Sequence, residues 1–198
     1  MSDRYPALTF HNMPVGAGYA RPEQAFPGGL NADSPALAAM TDLRRVTALT
    51  VERSNSLAAT RERMQKLGVR MLLVTGATGA VMGVITVTDL DSGRPEKIAA
   101  KTGERPEELQ VQDIMTLRGR IEVLRLEEVA GATIGQVLNS LRQAGRRHAL
   151  VLDDGTAGRD PDICGIFSLT RLCGQIGLDI QPGATTDSVE EALRGVLD

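Results

Sequence analysis

Short β-branched runs and amphipathic stripes alternate along this chain, and the same order of runs and stripes occurs twice. Residues 46–51, Val-Thr-Ala-Leu-Thr-Val, predict a first strand. A helix follows, capped by Ser54 or Ser56 and ended by Gly68, with Leu57, Met64 and Leu67 on one face. Val69 to Thr75 and Val81 to Val87 read as two more strands, joined by a turn at Gly76-Ala77-Thr78-Gly79. Pro95 then opens a short helix from Glu96 to Thr102, stopped by Gly103. The order restarts after Asp113-Ile114-Met115-Thr116. Ile121 to Leu126 predicts a strand, and Thr133 leads a helix whose stripe is Ile134, Val137, Leu138, Leu141 and Ala144. Strands are expected at His148 to Leu152 and Ile163 to Leu169, with a polar turn from Asp153 to Asp162 between them.

Aligning the two stretches pairs Met40-Thr41 with Met115-Thr116, Leu57 with Ile134, Gly68 with Gly145 and Gly83 with Gly165. The spacing between partners grows only in loops, which is how an internal duplication behaves. Each copy is a β-α-β-β-α unit. One such unit buries too little surface to be secure alone, so an α+β architecture is expected in which two copies pack sheet to sheet about a pseudo-twofold. Ligand clefts should lie between them. The expected division is an irregular arm at 1–38, repeat one at 39–102, a linker at 103–112, repeat two at 113–178 and a tail at 179–198. The arm carries Tyr5, Phe10, Tyr19 and Phe26 among the helix-breaking Pro6, Pro14, Pro22, Pro27 and Pro35. Such a segment should pack on its own body or on a neighbouring subunit. In the tail, Val189 to Leu197 forms an amphipathic helix that either packs locally or docks on a partner.

Composition narrows the function. Aromatics make up 3% of the 198 residues and the net charge is −3, which disfavours base-stacking platforms and phosphate-backbone binding alike. No nucleic-acid or membrane partner is expected: no run approaches the length of a membrane span, and the first residues lack the apolar core of a signal peptide. A cytoplasmic protein is the reading. Cys164 and Cys173 fit no zinc spacing and should be reduced packing residues. The only histidines, His11 and His148, suggest no metal set and no catalytic triad, so no catalytic residue and no enzyme is expected. His148 reads as a packing or interface residue at a strand start, and Glu127 with Glu128 as solvated loop charge. Arg61, Arg63, Arg142, Arg146 and Arg147 sit at equivalent ends of the two helices, either as solvated surface or as phosphate attractors.

Leu73-Val74-Thr75-Gly76-Ala77-Thr78-Gly79 has the look of a dinucleotide-binding turn, but the next glycine, Gly83, falls one position too late. Gly79 runs into strand sequence, so these glycines form a hairpin turn. The chemistry lies at the ends of the copies. Gly83-Val84-Ile85-Thr86-Val87-Thr88-Asp89 closes the first, and Gly165-Ile166-Phe167-Ser168-Leu169-Thr170-Arg171 closes the second. A carboxylate three residues after a hydroxyl suits a nucleoside. Asp89 can accept both hydrogens of a ribose diol, each bond contributing roughly 1.5–3 kcal/mol, and Thr86 can donate to a phosphate or a sugar hydroxyl. The alternative is that Thr86 fills a strand slot and Asp89 caps a helix. Arg171 cannot accept a diol. It either clamps a phosphate or forms an interdomain ion pair beside an empty cleft.

The duplication, the Asp113-Ile114-Met115-Thr116 lead-in and the paired Gly-x-x-hydroxyl-x-x-polar endings resemble the tandem CBS (cystathionine-β-synthase) domain pair, or Bateman module, over about residues 39 to 178. Arg147-His148-Ala149-Leu150-Val151 looks like that family's approach to its second strand, usually Arg-His-Leu-Pro-Val, without the proline; Val69-Arg70-Met71-Leu72-Leu73-Val74 is the matching segment. The resemblance implies a regulatory module that binds AMP, ADP, ATP or S-adenosylmethionine and modulates a partner protein in trans. It implies Thr86 and Asp89 as phosphate and ribose contacts and Ala48 and Leu49 as lining of the adenine slot. Ser168, Val123 and Leu124 hold the matching places in copy two, where Arg171 departs from the pattern. It also implies a flat homodimer made through the helices, for which the stripe of the second long helix is suited. A ligand-free dimerisation scaffold is the alternative.

Overall fold

A computed structural model describes residues 26–156, 158–180 and 186–197. His11, Tyr5, Phe10, Tyr19 and the prolines before Phe26 lie outside the described residues. Strands β1 (Thr41–Asp42) and β2 (Thr50–Glu52) precede helix α1 (Leu57–Leu67), β3 (Met71–Thr75), β4 (Val81–Thr86), α2 (Val87–Leu90) and α3 (Arg94–Thr102). Then come α4 (Val111–Ile114), β5 (Thr116–Leu117), β6 (Val123–Arg125), α5 (Leu126–Ala130), α6 (Ile134–Gln143), β7 (His148–Asp153), β8 (Asp162–Ser168), α7 (Leu169–Gln175) and α8 (Thr186–Leu197).

The helices begin where the sequence supplies caps. The Ser56 hydroxyl accepts from Ala59 N at 3.2 Å, and Gly68 closes α1 in the left-handed region at φ 65°. Thr133 and Gln136 form a reciprocal capping box at the start of α6, and Gly145 lies just past its end at φ 60°. Glu127 and Glu128 stand in the first turn of α5 and not in a loop. Carboxylates there complement the unsatisfied N–H groups of the helix.

Two mixed four-stranded sheets result, ordered β2-β3-β4-β5 and β1-β8-β7-β6. Both copies repeat one register: Met71 faces Thr86 in the first hairpin and His148 faces Ser168 in the second. Each hairpin also shifts register at the same place, after Val74 and after Val151. The expected α+β fold of two related units is the one observed, with one feature the repeat pattern did not contain. Each sheet's outer antiparallel strand comes from the lead-in to the other copy. β1 pairs with β8, and β5 pairs with β4.

This exchange explains two glycines. A Cβ on Gly83 would overlap the Thr116 carbonyl oxygen of β5, and one on Gly165 would overlap the Met40 sulfur beside β1. The cores are shared in the same way. Leu109, Val111, Ile114 and Met115 are buried with Leu57, Leu72 and Ile85 of the first copy. Ala36, Ala39 and Met40 are buried with Leu138, Val151 and Phe167 of the second. Backbone bonds from Ala36 N to Ala132 O, Ile134 N to Ser34 O and Gly135 N to Ala32 O lay the end of the arm on the second copy. The α6 stripe is covered within the chain by this segment and by α8, whose Leu193 is fully buried. The stripe suited to dimerisation is therefore already used in the second core. Cys164 and Cys173 are buried there as free thiols, and burial pushes the Cys173 thiol up to about 11.

Candidate functional site

The two exchanges create two clefts. After β1, residues 43–49 cross from the second sheet to reach β2 in the first. After β5, residues 118–122 cross the other way to β6. Each crossing segment passes the hydroxyl-bearing end of the hairpin that its strand has just joined. One cavity, of about 780 Å³, therefore brings Thr86 and Asp89 together with Arg120, Ile121 and Glu122. The other, of about 950 Å³, brings Ser168 and Arg171 together with Leu43, Val46, Thr47 and Leu49. Both are of a size that holds a small organic ligand.

At the first cleft, Thr86 ends β4 and caps α2. Its backbone N–H donates to Asp89 Oδ2 at 2.8 Å, its hydroxyl donates to the same oxygen at 2.7 Å, and Asp89 N donates back to Thr86 Oγ1 at 3.2 Å. This is a complete capping box. The capping role open to Asp89 is thus present. The hydroxyl hydrogen of Thr86 is spent on Asp89 and is not offered to a phosphate in this arrangement. Asp89 Oδ1 has no hydrogen-bond partner among the described residues and keeps its acceptor sites. Arg70, Arg120, Arg146 and Arg147 line the same cavity as this carboxylate. Arg146 is ion-paired with Glu122 and also bonds its carbonyl at 3.4 Å.

At the second cleft, Ser168 ends β8 but makes no side-chain cap bond to α7. Arg171 occupies the place of Asp89. Its Nη1 donates to Thr41 Oγ1 at 3.1 Å, and the Phe26 ring lies 4.7 Å from its guanidinium carbon. No carboxylate pairs with Arg171 among the described residues. Arg61, Arg70 and Arg147 complete the cationic rim. Arg61 is itself paired with Asp91 at 2.8 Å.

Arg70, Met71, Arg147 and His148 line both cavities and form the wall between them. His148 starts β7 as the counterpart of Met71. Burial, with Arg70 and Arg147 nearby, lowers its pKa to about 4. It is a neutral imidazole at neutral pH.

Of the residues chosen from the sequence, Thr86 and Asp89 line the first cleft, and Leu49, Ser168 and Arg171 line the second. Ala48, Val123 and Leu124 are in neither set of lining residues. Leu49 also belongs to the cleft opposite Asp89. The grouping within each copy is replaced by a grouping across copies, because the crossing segment travels with the exchanged strand. Arg70 and Arg120 were missed; the first was visible as the counterpart of Arg147, the second had no signal. Arg146 and Arg147 lie beyond the end of α6, in the approach to β7, rather than on the helix. Among the described residues no helix is long and apolar enough to cross a membrane.

No family model matches the chain, and a search of curated proteins gives no match. Solved structures do match. A conserved protein from Pyrococcus horikoshii aligns with a TM-score of 0.55 at 22% identity, over 77% of this chain and 99% of that one. A CBS-domain containing protein from Agrobacterium tumefaciens aligns with a TM-score of 0.53 at 21% identity, over 77% and 98%. A protein with CBS domains from Burkholderia ambifaria aligns with a TM-score of 0.50 at 19% identity, over 70% and 89%. The exchanged lead-in strands, the paired clefts and these alignments converge on one architecture: the chain has the fold of a tandem CBS-domain pair.

Proposed function

We propose that this chain is a regulatory module that binds an adenine nucleotide in the first cleft and passes its occupancy to a partner protein, without catalysing a reaction. The observation that carries this reading is the Asp89 carboxylate. One of its oxygens is locked by Thr86, the other has no partner among the described residues, and four guanidiniums line the same cavity. A ribose diol can donate to Oδ1 while Arg120, Arg146 or Arg147 meets the phosphates. AMP, ADP, ATP and S-adenosylmethionine all carry the diol. A phosphate at Arg146 competes with Glu122, so binding is coupled to a change in the segment that crosses between the copies. That gives the ligand different affinities for two arrangements, as regulation requires.

The capping box favours a second reading, a ligand-free scaffold, because it gives Thr86 and Asp89 a structural task of their own. Calorimetric titration with the four ligands separates the two. In the Asp89→Ala protein, nucleotide affinity is expected to fall on the order of 100-fold. Absence of heat from all four in the wild type would leave the scaffold standing.

A further inference from the structure

We infer that residues 26–42 form a strap across the second copy, latched by Arg171, and that releasing this guanidinium opens the strap and the first turn of α6 as one unit. This is independent of what either cleft binds. Both lead-ins grip the opposite copy by one pattern. In the first copy, Leu57 N and Ala58 N at the start of α1 donate to the carbonyls of Leu109 and Glu107 at 2.8 and 3.3 Å, beside a bridge between Ser56 and Gln110. In the second, Ile134 N and Gly135 N at the start of α6 donate to those of Ser34 and Ala32 at 2.9 and 2.8 Å, beside a bridge between Pro35 and Thr133. N–H groups at a helix start have no partner within the helix, so each lead-in supplies acceptors that its helix lacks. Gly135 lets the strap lie close: a Cβ there would stand 3.2 Å from the Ala32 carbonyl oxygen.

The two straps differ in how they are fastened. The first follows α3, which packs on α2 and α4. Phe26 falls where Lys101, in the last turn of α3, falls in the first copy. Its ring lies 4.7 Å from the Arg171 guanidinium carbon, and the same guanidinium donates to Thr41 at 3.1 Å. Arg171 therefore holds the second strap at both ends, while Ala36, Ale39 and Met40 between them are buried in the second core. The motif of the first copy does nothing comparable. Asp89 turns back on Thr86, and among the described residues no bond joins it to Thr116, the counterpart of Thr41. A cation in the first turn of α7 opposes the N–H groups there, so capping does not explain Arg171 and the latch does. An event at Arg171, in the wall of the second cleft, is in this way felt at the start of α6.

Hydrogen exchange on the full chain tests this, with the first copy as internal reference. In Arg171→Ala the amides of Ala36, Ile134 and Gly135 should exchange about 10-fold faster and together, while those of Leu57 and Ala58 keep their wild-type rates. Thr41→Val and Phe26→Leu, each removing one grip, should give smaller rises at the same amides. Arg171→Lys keeps a cation for the ring and a donor for Thr41, and should restore most of the protection. The chain has no tryptophan, so Phe26→Trp adds a reporter at the latch itself, whose emission should move to longer wavelength when Arg171→Ala is added. Unchanged rates in Arg171→Ala, equal acceleration in both copies, faster exchange at only one of the three amides, or an unmoved emission maximum would each overturn the inference.

Discussion

The two clefts are built by the same backbone and differ in what the last residue of the motif does. In the first, Asp89 caps its own helix through one oxygen and leaves the other without a partner among the described residues. In the second, Arg171 does nothing for its helix and is steadied by Thr41 and Phe26 instead. A residue relieved of capping is free to change its charge, and the equivalent places carry a carboxylate in one copy and a guanidinium in the other. Duplication thus supplies geometry twice, while side chains set the charge that each cleft presents.

The comparison can be broken hardest at the shared wall, where His148 stands opposite Met71. Its imidazole is neutral in the fold, with a pKa of about 4, but takes up a proton near 6.5 when unfolded. Stability is therefore full above pH 6.5 and is lost as the pH falls through that range toward 4, by about 3 kcal/mol in total. Chemical denaturation at several pH values should show this, and His148→Met, which copies the first repeat, should flatten the profile. A wild-type profile already flat would mean that the two sides of the wall are electrostatically alike.

The exchanged strands give the next effect. Gly83→Ala drives a methyl group into a backbone carbonyl of β5, which cannot swing aside, and should cost about 2–3 kcal/mol. Gly165→Ala meets the flexible Met40 side chain and should cost about 1 kcal/mol. Equal melting shifts would remove the distinction. The caps give the smallest effect. Thr86→Ala should destabilise by about 1 kcal/mol and Ser168→Ala by less than about 0.5 kcal/mol, since only Thr86 bonds its helix.

Local signals were legible where local physics decides. Ser56 and Gly68 bound α1, Thr133 heads α6, and the stripe from Ile134 to Leu141 is buried as its period requires. The first strand was misplaced for an instructive reason. Val46 to Leu49 has strand composition, but it crosses between sheets, and its first ladder bond is Leu49 O accepting from Leu73 N at 3.1 Å. Val123 and Leu124 failed as cleft residues for a related reason: they come after the crossing and already pair with β7. Leu67 shared a face with Leu57 and Met64, yet only those two are buried; Leu67 faces the second cavity.

By itself the sequence determined the duplication, the long helices α1 and α6 with their caps, and the change from Asp89 to Arg171, because each depends on neighbours within a few residues. Only the tertiary structure decided which half of the molecule faces which motif. Strand exchange is a pairing between residues far apart in the chain, set by backbone hydrogen bonds that any lead-in could offer, and so it leaves no periodicity to read. Gly83 and Gly165 are its one trace in the sequence, and their meaning emerges only when β5 and β1 lie against them.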